Sequence, residues 1–334
     1  MIDMHAHFLP AGLVTALEGR SCAPNIVVDN AGKTTIGIHR TRIPYDRAFD
    51  DIDSRIASLQ ELGITRQVLS LPGLFGIDSL PAAESVGLTR AFNDGVARVV
   101  AHHADRFVGL ASLPMADQAN SIREYRRART ELGLAGMILP GDAFASVASA
   151  QLMQPLFQLA QELGGLIFIH PGPLPLHQDK GNVDAQTSHR DNVVHRRATV
   201  DIQNRLTDIM ITLALSDFLD DFIDVPVQIA NLGGSLPFII ERMDHVYSLR
   251  HPELPLPSRS LKPVYVDSAS MGPGALALAV DLYGADRVLF GTDDPVFDAS
   301  RALAAVRDSG LDETDQNAIL EGNANELLKR IAAT

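Results

Sequence analysis

His5-Ala6-His7 sets two imidazoles two residues apart at the end of a short apolar run. Residues i and i+2 of an extended chain face the same side, so both rings can reach one point. His170 closes a second run, Leu166–His170, and Asp293 follows a third within Gly291-Thr292-Asp293-Asp294. Imidazoles with a carboxylate suit a catalytic zinc or a similar divalent cation, three or four N/O donors leaving a position for water. With 11 histidines in 334 residues, about a third of one His-x-His arises by chance. The pair therefore gains weight from the company of His170 and Asp293 at other strand ends. Taken singly, a strand-end histidine can be structural, and an aspartate after Gly-Thr can cap the next helix.

These residues need elements to hold them. Short apolar runs recur at Ile2–His5, Arg66–Leu71, Phe107–Leu113, Ala135–Leu139, Leu166–His170, Val227–Ala230, Val264–Asp267 and Val288–Gly291. Between them lie stretches with apolar residues at helical spacing: Asp53–Leu62, Glu84–His103, Ala119–Leu132, Ala150–Leu163 and Pro273–Tyr283. Buried parallel strands read as continuous apolar runs, and eight strands alternating with helices over this length predict a (β/α)8 barrel. An open doubly wound sheet is the alternative, but no Gly-x-Gly-x-x-Gly follows the first strand. In a barrel, His5, His7, His170, Asn231 and Asp293 all fall at the C-terminal ends of strands, where barrel active sites are built.

The chain reads as one domain over residues 1–334, with two departures from the alternation. Residues 22–51 carry β-like pieces around Asn30-Ala31-Gly32-Lys33, a hairpin signal inserted after strand 1. Residues 171–195 form a long Pro/Gly/His-containing lid after strand 5. Composition narrows the partners. Lys and Arg number 28 against 41 Asp and Glu, a net charge of −13, which disfavours nucleic acid and anionic membranes. No apolar stretch is long enough to span a bilayer and no signal peptide is visible, so a cytoplasmic protein is expected. The single Cys22 excludes an intrachain disulfide and a cysteine-only zinc site.

The motifs IDMHAHFLP, FIHPGP, NLGGSLPFIIERMD, VDSASMGPGAL, DRVLFGTDDP and EGNANELL together resemble the amidohydrolase superfamily. The branch is that of aminocarboxymuconate-semialdehyde, γ-resorcylate and 6-methylsalicylate decarboxylases. The resemblance runs from residue 1 to about residue 330 and is specific as to branch, not substrate. It implies a distorted barrel with one divalent metal, zinc first and manganese or cobalt as alternatives, held by His5, His7, His170 and Asp293. It also implies non-oxidative decarboxylation of a small unsaturated or aromatic carboxylate. Arg42 in TRIPYDRAF and Arg242 in FIIERMD fall where family arginines bind substrate carboxylates. In relatives the second can serve a neighbouring subunit, so a homodimer is implied.

One departure bears on mechanism. The decarboxylases carry a histidine at the end of strand 6, where this chain has Asn231. A carboxamide does not titrate near neutrality and can only donate and accept hydrogen bonds, which puts the usual proton transfer in question. Three readings follow: a decarboxylase whose proton is handled by Asp293 or the lid residue His177 while Asn231 orients substrate; a metal-dependent hydrolase in which Asp293 is the base; or a binding protein on an enzyme scaffold.

Overall fold

The computed structural model describes residues 1–38, 41–45, 47–175 and 193–332, without the side chains of 41 and 193–195. Eight parallel strands follow one another around a barrel in chain order. They are β1 (Ile2–His7), β2 (Arg66–Ser70), β3 (Phe107–Ala111), β4 (Gly136–Pro140), β5 (Leu166–His170), β6 (Val227–Ile229), β7 (Tyr265–Asp267) and β8 (Val288–Leu289). The segment after β8 closes the ring onto β1: Met4 N donates to Phe290 O at 2.8 Å and Asp293 N to His5 O at 2.7 Å. The predicted (β/α)8 architecture is what the chain adopts. Each apolar run became a strand because helices cover its outer face and neighbouring strands bury its edges; all five residues of β5 are buried.

The helices form for local reasons. In Ile52–Leu62, Asp51 caps the first turn by accepting from Ser54 N at 3.1 Å. Gly63 ends the helix in the left-handed conformation, φ 73°, at no side-chain cost. Among the described residues, no helix is long and apolar enough to cross a membrane.

The insertion is a three-stranded antiparallel sheet, Asn25–Val28, Thr34–Ile38 and Thr41–Pro44. The first two strands are the hairpin signalled at Asn30–Lys33. The third has only four residues and a terminal proline, too short for a periodic pattern. Of the lid at 171–195, residues 176–192 lie outside the described residues; a helix over Val193–Ala214 follows.

Alternation along β1 sends Asp3, His5 and His7 into the barrel, where a buried polar layer receives them. Asp3 accepts from Thr292 Oγ1 at 2.6 Å, Gln67 Nε2 at 2.8 Å and His5 N at 3.1 Å. Burial nonetheless pushes its pKa up to about 6, against those donors.

Candidate metal centre

His5, His7, His170 and Asp293 converge so that one donor atom from each lies within 4.8 Å of the others, and all four are buried. β1 brings two ligands, β5 the third and the turn after β8 the fourth. The approach is tight: a Cβ at Gly291 would stand 2.8 Å from His5 Cβ, and one at Gly73 2.8 Å from His170 Nδ1. Only glycine lets those segments come so near.

The hydrogen bonds decide which nitrogen each imidazole offers. His5 Nδ1 lies 3.0 Å from Asp267 Oδ1, and a carboxylate accepts, so the neutral ring's proton sits on Nδ1. His170 Nδ1 lies 2.9 Å from the carbonyl of Pro171, which can only accept. His7 Nδ1 lies 3.1 Å from Ser70 Oγ. That hydroxyl gives its one hydrogen to Ala6 O at 3.0 Å, so it accepts from His7. When neutral, all three rings thereby present an unprotonated Nε2. His5 Nε2 is buried without a hydrogen-bond partner among the described residues, as a metal ligand would be. His7 Nε2 and His5 Nε2 stand 3.0 and 3.6 Å from Asp293 Oδ1. The donor set fits a divalent metal.

The electrostatics agree. Burial disfavours charge on His5, but Asp267 and Asp293 outweigh it and raise its pKa to about 9. Burial holds His7 below its ordinary value despite Asp293. Burial, with His7 and His5 nearby, holds His170 well below. Burial alone would raise Asp293, yet the facing histidines keep it below the ordinary carboxylate value. The cluster is built around one added positive charge, which a proton or a divalent cation can supply.

Two supporting residues escaped the sequence reading. Gln228 donates to Asp267 Oδ2 at 2.8 Å, steadying the carboxylate that orients His5. Arg55 is buried beneath the end of β1 and donates to His7 O at 2.7 Å, Ala48 O at 2.6 Å and Asp294 Oδ2 at 2.8 Å. Its signal was its place on the same helical stripe as the buried Leu59. Asp294, engaged with Arg55, points away from the metal ligands.

A cavity of about 250 Å³ opens above the ligands, lined by His7, His170, Asp293, Asn231, Ser270 and apolar side chains including Phe75, Ile43 and Ile202. Asn231 therefore joins the metal ligands at one site. Arg42 does not: its exposed side chain lies over Gly37 and reaches Thr35 Oγ1 at 3.4 Å, while its neighbour Ile43 faces the cavity. Strand alternation turns the two to opposite sides. Arg242 is exposed on the outer helix Leu236–Arg250, away from its own chain's cavity. His177 lies outside the described residues. The non-glycine residues with positive φ among the described residues are Asn231, Leu232, Ser270 and Asp293, at 52° to 60°. All lie at the C-terminal ends of β6, β7 and β8, backbone strain collected at the site's mouth.

Comparisons with known proteins agree with this architecture. The gamma-resorcylate decarboxylase of Polaromonas sp. strain JS666 is 27% identical, with 85% of this chain and 89% of the relative covered. The 2-amino-3-carboxymuconate-6-semialdehyde decarboxylase of Dictyostelium discoideum is 28% identical, with 98% of this chain and 91% of the relative covered. A crystal structure of a dihydroxybenzoic acid decarboxylase from Polaromonas sp. JS666, with bound manganese and the inhibitor 2-nitroresorcinol, shares the fold. It superposes with a TM-score of 0.71 at 22% identity, over 98% of this chain and 96% of that one. The amidohydrolase family model Amidohydro_2 matches residues 2–330, and the chain belongs to that family.

Proposed function

We propose that this protein is a metal-dependent non-oxidative decarboxylase of a small unsaturated or aromatic carboxylic acid. The observation that carries this reading is the convergence of three Nε2 lone pairs and Asp293 on the floor of a largely apolar cavity of about 250 Å³. An apolar cavity of about 150 Å³ already holds a benzene ring, so the space suits one ring with its carboxylate. The decarboxylase names of both curated relatives support the same reaction.

His5, His7, His170 and Asp293 would hold the cation. The donor set suggests zinc first; the manganese in the Polaromonas structure supports manganese as the alternative. When bound, the cation supplies positive charge that stabilises negative charge developing on substrate oxygens. Asp293 keeps Oδ1 toward the histidines and has Oδ2 without a partner among the described residues, leaving that oxygen to take up a proton from solvent for transfer to the substrate. The carbon that loses CO2 takes up this proton, and the electron pair of the broken C–C bond forms the new C–H bond. Asn231 orients the substrate without titrating, and the apolar walls exclude water from the reacting carbon.

A homodimer would form through the helix Leu236–Arg250, whose outer face exposes Phe238 (81%) and Leu249 (76%) beside Arg242. That packing would bring Arg242 to a neighbouring subunit. An exposed, unpaired Cys22 suits a reducing cytoplasm.

Product analysis in D2O tests the reaction. Decarboxylation yields CO2 and one deuterium at the carbon that bore the carboxylate. Cleavage of esters, amides or lactones with no CO2 from any carboxylate would replace this reading with the hydrolase, in which Asp293 acts as base toward water.

A further inference from the structure

Among the described lining residues, the cavity's polar wall beyond the metal ligands is uncharged. Asn231, Ser270, Gln203 and Thr199 supply its other polar side chains, and among the described lining residues none is lysine or arginine. The direction of the Asn231 amide is settled by its bonds. Nδ2 donates to the carbonyl of Ala269 at 2.9 Å, which can only accept, and to Ser270 Oγ at 2.7 Å. Oδ1 must therefore be the free end, an acceptor with no partner among the described residues. Ser270 Oγ, having accepted from Asn231, keeps its own hydrogen for donation. The backbone N of Asn231 is tied to Asp267 Oδ1 at 3.1 Å, the same oxygen that orients His5. Gln203 Oε1 adds a second neutral acceptor, buried and without a partner among the described residues.

A free amide oxygen beside a free hydroxyl donor matches a substrate group that donates and accepts at once. A hydroxyl does both. A second carboxylate would set oxygen against Oδ1 with no described cation on the wall to offset its charge, and burying it so is costly. We propose that Asn231 and Ser270 are specificity-determining residues that select an acid bearing one carboxylate and one neutral hydroxyl, and reject an acid bearing two carboxylates. This inference rests on the decarboxylase reading of the same cavity and goes further in assigning the substrate's second polar group to these two side chains.

Calorimetric binding to the metal-loaded protein tests it with 2-hydroxybenzoate, 2-methoxybenzoate and benzene-1,2-dicarboxylate. The wild type is expected to favour the hydroxy acid over each of the others by at least about tenfold. Asn231→Gly and Ser270→Gly, which tolerate the positive φ at both positions, should bring the three affinities to within about threefold of one another. A merely structural role would weaken all three acids together and leave their ratios unchanged. A tenfold preference that survives both variants would show that the hydroxyl is read elsewhere and would overturn the proposal. So would tight binding of the dicarboxylate by the wild type. Absence of both binding and CO2 release from any aromatic or unsaturated acid would overturn the decarboxylase reading itself, and this proposal with it.

Discussion

The site's mouth has two sides built to opposite rules. Where β1, β5 and β8 end, every side chain that matters can carry a charge, and each imidazole is fixed by a partner on its Nδ1: Asp267, Ser70 or the Pro171 carbonyl. Where β6 and β7 end, the groups that reach the cavity are a carboxamide and a hydroxyl, bonded to each other and neutral at any physiological pH. On the proposed reading the first side would hold a cation and move a proton, whereas the second could only accept, donate and orient. Reaction type and substrate choice would then reside on different strands, so a change at Asn231 would alter the substrate while leaving the metal ligands in place.

The largest effect should come from Asp293→Asn, which keeps the shape and removes the proposed proton carrier. A fall in kcat of at least about a thousandfold, with KM changed far less, is expected. A kcat within tenfold of wild type would show that the proton moves elsewhere. Next in size is Asp267→Asn. The carboxamide supports His5 less firmly, and metal affinity measured by competition with a chelator should weaken by about 10- to 100-fold. Unchanged affinity would mean that Asp267 serves the β6 and β7 turns alone.

Asp78 extends the contrast to a carboxyl that belongs to neither side. It is buried, with the Ser79 hydroxyl donating to it at 3.2 Å, and burial pushes its pKa up to about 7. The folded protein therefore binds this proton more tightly than the unfolded chain. The resulting stabilisation is full below pH 4 and is lost as pH rises through 7. Urea unfolding of wild type and Asp78→Asn at pH 5 and pH 8 should show wild type losing a few kcal/mol relative to the variant at the higher pH, at about 1.4 kcal/mol per pKa unit. Parallel behaviour would place the carboxyl in contact with water. The smallest effect is expected at Arg42. Its side chain lies off the cavity, so Arg42→Lys should leave KM within about twofold; a strong rise would bring Arg42 into the substrate's reach.

Much of this was legible in the chain itself. The barrel strands announced themselves because parallel strands buried on both faces must be continuous apolar runs, and the His5–His7 spacing needs only the period of an extended chain. Arg42 shows where pattern stops: its position among family motifs pointed to the substrate, but which face of a four-residue strand looks inward depends on how the small sheet sits against the barrel. Arg55 reads as a solvated charge on an amphipathic helix until the end of β1 is seen resting on it. At Asn231 the residue type announced a lost titration, whereas the free Oδ1 follows only from the positions of Ala269 and Ser270, supplied by the turn after β7, 38 and 39 residues away in sequence.

The most direct test is CO2 release measured against metal occupancy, with wild type stripped by chelation and then reloaded stepwise with zinc or manganese, alongside His5→Ala. Release from a hydroxybenzoate that rises in proportion to occupancy, saturates at one metal per chain and is absent in His5→Ala is the predicted result. A chain that fills to one metal yet releases no CO2 from any aromatic or unsaturated acid, or that releases it equally when stripped, would contradict the assignment of decarboxylation to this centre.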